Sequence, residues 1–128
     1  MAIHEHWADA IMDGRKTVEF RKRRLAPDID TVIVYATAPV SMVIGRFTIA
    51  EVVSGTPEEI WSRFGDVGEI DHASYSAYYE GRDSAVAIVV AEASRFDDPL
   101  ALADIEPRPA VPQSFAYLPA ATPALAGA

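Results

Sequence analysis

The chain has 128 residues and no cysteine, half of its residues are hydrophobic, and its formal net charge is −8. This length fits one domain with a folded core, and the lack of cysteine excludes disulfides, thiolate metal sites and cysteine nucleophiles. With no apolar leader and no run of about 18 apolar residues, the sequence predicts a cytoplasmic protein without a membrane partner.

A short helix and a strand are predicted at the start of the chain. Apolar residues at helical spacing predict an amphipathic helix over residues 4–13, which ends at Gly14. Residues 17–22 alternate in polarity, so Val18 and Phe20 would face the core and the polar residues between them would face away. The strand is therefore expected to have one apolar face and one chemically active face.

This strand lies within the one strongly basic segment of the chain. Residues 15–24 contain six of the eleven basic residues and one acid, Glu19, so the segment carries +5. The other 118 residues contain five basic and eighteen acidic groups and carry −13. A local cationic patch can focus an anionic ligand even when the net charge repels it. The basic residues are Arg15, Lys16, Arg21, Lys22, Arg23 and Arg24.

The middle of the chain predicts two apolar strands, two helices and a final strand. Gly45, inside the second of these strands, indicates a bulge or a close backbone approach. Thr56 and Glu59 form a capping box for the first helix, which should stop at Gly65. These elements are predicted at residues 31–36, 42–53, 56–65, 71–79 and 85–90.

The order of the elements predicts the fold class. Strands and helices do not alternate regularly, so an α+β fold is favoured, with a small, mainly antiparallel β-barrel decorated by short helices. The proline-rich C-terminal part predicts regular structure only around Gln113 to Leu118, and residues 119–128 are expected to form a flexible tail. The predicted domain therefore spans residues 1–118.

Residues 14–21, Gly-Arg-Lys-Thr-Val-Glu-Phe-Arg, resemble the Gly-x-Lys-x-x-Glu-x-Arg signature of the ASCH family, part of the PUA-like superfamily. The likeness extends over nearly the whole chain and includes Pro112 to Phe115. It implies a barrel with a cleft near the signature, which binds RNA, nucleotides or modified bases without a cofactor. It also implies an alternative, because some relatives are amidohydrolases acting on N4-acetylcytidine and others are reported to be ribonucleases.

The signature supplies the candidate catalytic residues, Lys16 and Glu19. Lys16 is interpreted as a ligand-binding cation, as a nucleophile or base if the protein is an enzyme, or as a structural ion pair. Glu19 can read an exocyclic amino group and Arg21 can grip phosphate, unless the two only pair with each other. The predicted ligand-binding residues are Arg15, Lys16, Glu19, Arg21, Lys22, Arg23, Arg24 and Tyr79.

One departure weakens the amidohydrolase alternative. The resemblance implies a threonine three residues after the signature lysine, where this chain has Glu19, and a distant glutamate, for which Glu69 and Glu80 are the candidates. Thr17 is adjacent to Lys16 and would project to the wrong side. Binding of RNA or a modified nucleotide is therefore the leading hypothesis, and a protein-interaction module is a weaker one.

Other residues have an ordinary interpretation beside the functional one. Lys22, Arg23 and Arg24 either track a phosphate backbone or form a solvated face. Tyrosines 75, 78 and 79 either stack on bases or pack the core, and the two tryptophans are expected in the core. The spacing of the three histidines predicts no metal site.

Overall fold

The computed structural model describes residues 1–101. The predicted segment from Gln113 to Leu118, the predicted tail at 119–128 and the domain end at 118 lie outside the described residues. The elements, in chain order, are β1 (Ala2–Ile3), α1 (Glu5–Met12), β2 (Val18–Arg21), β3 (Thr31–Ala36), β4 (Met42–Gly55), α2 (Pro57–Phe64), a 3₁₀ turn (Gly65–Val67), α3 (His72–Tyr78) and β5 (Ala85–Leu100).

The five strands form one sheet in the order β1-β3-β4-β5-β2. β1 pairs with β3 in parallel, and the other neighbours are antiparallel. The α+β class is therefore confirmed, but the described strands do not close into the predicted barrel, since closure requires a ladder between β1 and β2. These two short strands are the sheet edges, and a side chain joins them instead: Arg21 Nη2 donates to Ala2 O at 2.6 Å.

The sheet is covered on both faces. Alternate residues of β5 point to opposite sides, so Val86 and Ile88 join the core under α1 whereas Ala85 and Ala87 join the core under α2 and α3. The apolar residues of β2 pack with the second core, as the alternation predicts. The polar residues of β2 consequently face the α1 side of the sheet, at the gap between the edge strands.

Local capping interactions define the ends of the helices. Thr56 and Glu59 form the reciprocal capping box of α2, and Gly14 adopts the left-handed conformation after α1 with φ 81°. α2 ends at Phe64 with Gly65 as its C-cap, as predicted, and Gly65, with φ −57°, begins the 3₁₀ turn. Asp71 caps α3, because its carboxylate accepts from the Ser74 N–H at 2.7 Å.

Gly45 is a close-packed position, as predicted. Register shifts flank it in both ladders of β4, and a Cβ there would lie 2.5 Å from both Met12 Sδ and Ser94 O. We expect Gly45→Ala to lower the free energy of unfolding by about 1–3 kcal/mol, since the Ser94 carbonyl belongs to the backbone of β5 and cannot swing away. Chemical denaturation measures this.

Gly55→Ala is the matched control for that substitution. Gly55 lies in the same strand as Gly45, but the atom nearest to a Cβ added there, Glu59 Cβ, would be 3.5 Å away. Gly55→Ala should therefore change stability far less than Gly45→Ala. Equal losses in the two variants would contradict the close approach at Gly45.

β5 is longer than predicted. It continues ten residues past the predicted 85–90 to Leu100, and this extension pairs with the first half of β4. The extension is rich in polar residues and ends near Pro99, so its strand conformation comes from the ladder with β4 rather than from local preference. Within residues 1–101, no helix is both long and apolar enough to cross a bilayer.

Candidate functional site

A cleft opens between the two edge strands, where the sheet does not close. It has a volume of about 440 Å³, including the part open to solvent. Both strands, α1, the segment before α3 and the end of α3 contribute to it. Its lining residues are Ala2, Ile3, His4, Trp7, Lys16, Glu19, Phe20, Arg21, Ile70 and Tyr78.

Lys16 lies at the floor of this cleft and is only 2% exposed. The left-handed Gly14 turns the chain back, so that the Lys16 backbone N–H donates to Ala10 O at 3.0 Å. The side chain donates through Nζ to Gly68 O, and Nζ lies 5.6 Å and 5.3 Å from the ring centroids of Trp7 and Phe20. Burial lowers the pKa of Lys16 below its usual range, and nearby Glu19 partly opposes this.

Glu19 stands between two cations. Its Oε1 lies 3.5 Å from Lys16 Nζ and its Oε2 lies 3.2 Å from Arg21 Nη2. The residue is 5% exposed, so the three charged groups form a buried row along the cleft. A buried carboxylate is tolerated when it is paired in this way.

Arg21 both pairs with Glu19 and joins the strands. Its guanidinium reaches Ala2 O across the gap, and its Nε is buried without a hydrogen-bond partner among residues 1–101. Its backbone carbonyl accepts a hydrogen bond from Tyr79 OH at 2.7 Å. Arg21 is thus fixed at both ends.

Residues 67–69 hold the rim of the cleft through three consecutive carbonyls. Val67 O accepts from the Thr17 N–H at 3.0 Å, Gly68 O accepts from Lys16, and Glu69 O accepts from Trp7 Nε1 at 3.1 Å. Gly68 packs against Phe20, and a Cβ there would lie 2.2 Å from the Phe20 ring. This segment therefore fixes where the Lys16 amine can lie.

Sequence comparison identifies the family of the chain. The sequence model of the ASCH domain matches residues 1–99. The chain belongs to the ASCH family. The resemblance of residues 14–21 to the family signature is thereby confirmed, and this segment supplies four of the residues that line the cleft, Lys16, Glu19, Phe20 and Arg21.

Relatives of this ASCH chain include a protein from Zymomonas mobilis named ASCH domain-containing ribonuclease. The two are 36% identical over 91 residues, which cover 70% of this chain and 62% of the relative. The large ribosomal subunit protein uL22 of Ureaplasma parvum is 33% identical over 106 residues, covering 83% of this chain and 34% of that protein. The chain thus spans less than two thirds of the length of these curated relatives.

Solved structures share the ASCH fold. The crystal structure of ASCH from Zymomonas mobilis matches with a TM-score of 0.84 and 31% identity, covering 94% of this chain and 86% of that chain. A single-residue variant of the same protein matches with a TM-score of 0.85, covering 94% and 88% of the two chains.

The other basic residues of the segment do not form one strip in this ASCH domain. Arg15 is exposed and pairs with Asp13 at 3.2 Å, and Arg24 donates to Ser54 Oγ on β4. Arg23 is exposed, whereas the Lys22 ammonium lies 4.5 Å from the ring centroid of Tyr78, a cleft wall. The +5 segment is therefore spread over several surfaces, because its residues fall on a turn, a strand and a loop.

The tyrosines divide between wall and core. Tyr78 lines the cleft, but Tyr79, predicted as a ligand contact, is 3% exposed and packs in the second core. Tyr75 is also buried, with its hydroxyl donating to Pro57 O at 2.8 Å. Burial raises the pKa of Tyr75 to about 12.

The two candidate distant carboxylates do not lie in the cleft lining. Glu69 is exposed and its Oε1 lies 3.8 Å from Arg15 Nη1, while Glu80 lines a separate surface groove with Trp61 and His72. Glu19 is the one acid that lines the cleft among the residues that the structure describes. Nor does any group of three histidine, aspartate or glutamate side chains within residues 1–101 suit a metal ion.

Two parts of the site were absent from the sequence interpretation. Trp7, predicted in the core, packs against the first core but also forms a wall of the cleft and donates to Glu69 O. Gly68 contributes through a backbone carbonyl, which no side-chain pattern reveals. Trp7 lies one turn before Ile11 on the same helix face, and Ile11 lies just before the signature. This placement is the signal that could have indicated the position of Trp7 beside the signature residues.

The lowered pKa of Lys16 predicts a pH-dependent stability. Unfolded Lys16 keeps its proton up to its ordinary pKa of 10.5, whereas the folded residue loses it at lower pH. Between these values the unfolded state binds more protons, so the free energy of unfolding rises with pH. The free energy of unfolding of wild type minus that of Lys16→Met, measured by urea denaturation from neutral pH upwards, should increase with pH and level off above pH 10.5. A flat difference would contradict the buried amine.

Proposed function

We propose that this ASCH domain binds single-stranded RNA and takes one nucleotide into the cleft between β1 and β2. The observation that carries the proposal is the buried row of Lys16, Glu19 and Arg21 along a cleft with aromatic walls. Charged and amide-like groups read the exposed edges of unstacked bases, and aromatic rings stack on their faces. Sequence-specific RNA recognition mostly uses such single-stranded positions.

The names of two relatives support an RNA ligand. One is called a ribonuclease and the other a ribosomal protein, and their matches, at 36% and 33% identity, cover 70% and 83% of this chain. The charge distribution fits as well: the Lys22 ammonium lies against the ring of Tyr78, a cleft wall, on an otherwise acidic molecule, so it can contact a phosphate that flanks a bound base.

Fluorescence anisotropy with short labelled single-stranded RNA tests the proposal. Affinity should fall as salt rises, and Lys16→Ala should weaken binding by about tenfold or more, since it removes a buried charged contact. Arg63→Ala is the charge-matched control, because Arg63 lies on α2 and pairs with Glu51 away from the cleft. Equal affinity in wild type and Lys16→Ala, or no binding at all, would overturn the proposal.

A second candidate is RNA cleavage at the same cleft. It is favoured by the ribonuclease name of one relative and by the lowered pKa of Lys16, which makes a larger fraction of the amine neutral, and so available as a base, than for an exposed lysine at the same pH. Lys16 would accept the proton of the ribose 2′-hydroxyl as its oxygen bonds to the adjacent phosphorus, and Glu19 would stabilise the ammonium that forms. The bond from phosphorus to the 5′-oxygen of the next nucleotide would break, and water would protonate that leaving oxygen.

End-labelled RNA distinguishes cleavage from binding alone. A nuclease should give fragments at a rate that rises with pH through the lowered pKa of Lys16, and Lys16→Arg should abolish them while retaining affinity. Intact RNA at every pH would leave the binding function. Incubation with N4-acetylcytidine tests the amidohydrolase alternative, for which release of cytidine is the required result.

A further inference from the structure

The row of charged groups has a defined order of hydrogen-bond donors and acceptors. Each oxygen of Glu19 faces a different cation, with Lys16 on one side at 3.5 Å and Arg21 on the other at 3.2 Å. A ligand edge that meets this row therefore encounters a donor, then an acceptor, then a second donor.

Each member retains capacity for a ligand. An ionised carboxylate has about four lone-pair sites, and the two contacts of Glu19 leave others open. Lys16 donates to Gly68 O and faces Glu19, and its ammonium has a third N–H for a ligand. The guanidinium of Arg21 carries five N–H groups, and its contacts to Ala2 O and Glu19 both use Nη2.

We propose that the cleft selects uracil among the RNA bases. The inference rests on the proposed function and specifies its ligand. The Watson–Crick edge of uracil presents a carbonyl, an N–H and a second carbonyl, which complements donor, acceptor and donor in order. Because this edge is symmetric, the match holds in either orientation of the base.

The other bases satisfy fewer positions of the row. The edge of cytosine begins with its amino donor, followed by the N3 acceptor. The amino group can therefore donate to Glu19 and N3 can accept from one cation, but the other cation is left without a partner. Adenine also offers one amino donor beside one ring acceptor, so it too leaves one cation without a partner. Guanine offers a carbonyl and two N–H donors, so its second donor meets a cation, which cannot accept a hydrogen bond. A site built around buried polar groups rejects ligands that leave one unpaired.

The walls of the cleft are compatible with a flat pyrimidine. Trp7, Phe20 and Tyr78 contribute aromatic surface, and the Lys22 ammonium lies near the ring of Tyr78. These walls add stacking energy without base preference, because every base has a π-face. Selectivity is therefore assigned to the charged row alone.

The affinities of wild type for three pentanucleotides test the inference. Pentauridylate should bind about 10–100-fold more tightly than pentacytidylate, as expected for loss of one well-placed base contact. The third ligand is the N3-methyluridine pentamer, which keeps both carbonyls but has no N3–H donor. It should bind as weakly as pentacytidylate.

Glu19→Gln provides an independent test, because it should remove the preference for uracil over cytosine. Glutamine offers an amide donor as well as a carbonyl, so it can face the N3 acceptor and the amino group of cytosine together. The ratio of uridylate to cytidylate affinity should fall towards one. Glu80→Gln, an exposed carboxylate outside the cleft lining, should leave the ratio unchanged.

The outcomes distinguish uracil selection from RNA binding itself. Equal affinity for all three pentamers, with binding that still depends on Lys16, would overturn uracil selection and leave RNA binding in place. Absence of binding to any RNA would overturn the proposed function and uracil selection with it. Preference for uridylate that N3-methylation removes would support both.

Discussion

Glu19→Ala is expected to lower the free energy of unfolding by about 3–5 kcal/mol, the usual cost of removing one partner from a buried ion pair. The substitution leaves Lys16 and Arg21 without the carboxylate that lies between them. Lys16, at 2% exposure, cannot recover its hydration without opening the cleft. Urea denaturation of the two proteins measures the loss.

A double variant shows whether the uncompensated charge causes this loss. Lys16→Met removes one of the two stranded cations, so Glu19→Ala combined with Lys16→Met should be less destabilised than the sum of the single variants. Residues in one ion-pair network couple by roughly 0.5–3 kcal/mol. If the losses add, or if Glu19→Ala alone costs less than about 1 kcal/mol, the row is not an interacting unit.

Trp7→Ala is expected to weaken RNA binding by about 1–3 kcal/mol, or roughly 5–150-fold, the range for loss of one aromatic stacking partner. Trp7 lines the cleft beside Lys16. Its indole also donates to Glu69 O and so holds the rim. Anisotropy titration with the same RNA gives the affinity change.

Trp7→Phe separates the two roles of this side chain. Phenylalanine keeps an aromatic face but has no donor for Glu69 O, so it should retain most of the affinity if stacking dominates. Trp61→Phe is the control, since Trp61 packs against the second core and Tyr75, outside the cleft lining. An affinity loss as large in Trp61→Phe as in Trp7→Ala would contradict the assignment of Trp7 to the binding surface.

The secondary structure was largely predictable because local signals are strong in this chain. The capping box at Thr56 and the left-handed Gly14 are side-chain and backbone requirements that act within a few residues. The second half of β5 was not predictable, because its partner in β4 lies about fifty residues away. The prediction that the described strands close into a barrel was wrong for a related reason. Sequence patterns do not show whether the two edge strands of a sheet, here β1 and β2, pair with each other.

The candidate site was predictable in its centre and not at its rim. Alternation along β2 placed Glu19 and Arg21 on one face, and the signature added Lys16. The spread of Arg15, Arg23 and Arg24 over other surfaces depends on turns that local charge counts ignore. The carbonyl of Gly68 carries no sequence signal, because any residue has one.

Emission from Trp7 in the Trp61→Phe variant tests the RNA cleft most directly. The chain has two tryptophans, so this variant leaves Trp7 as the one reporter inside the cleft. Single-stranded RNA should quench its emission over the same concentration range in which anisotropy detects binding, and the lone Trp61 of Trp7→Phe should not respond. RNA binding with unchanged Trp7 emission, or a response at Trp61 instead, would contradict a nucleotide bound between β1 and β2.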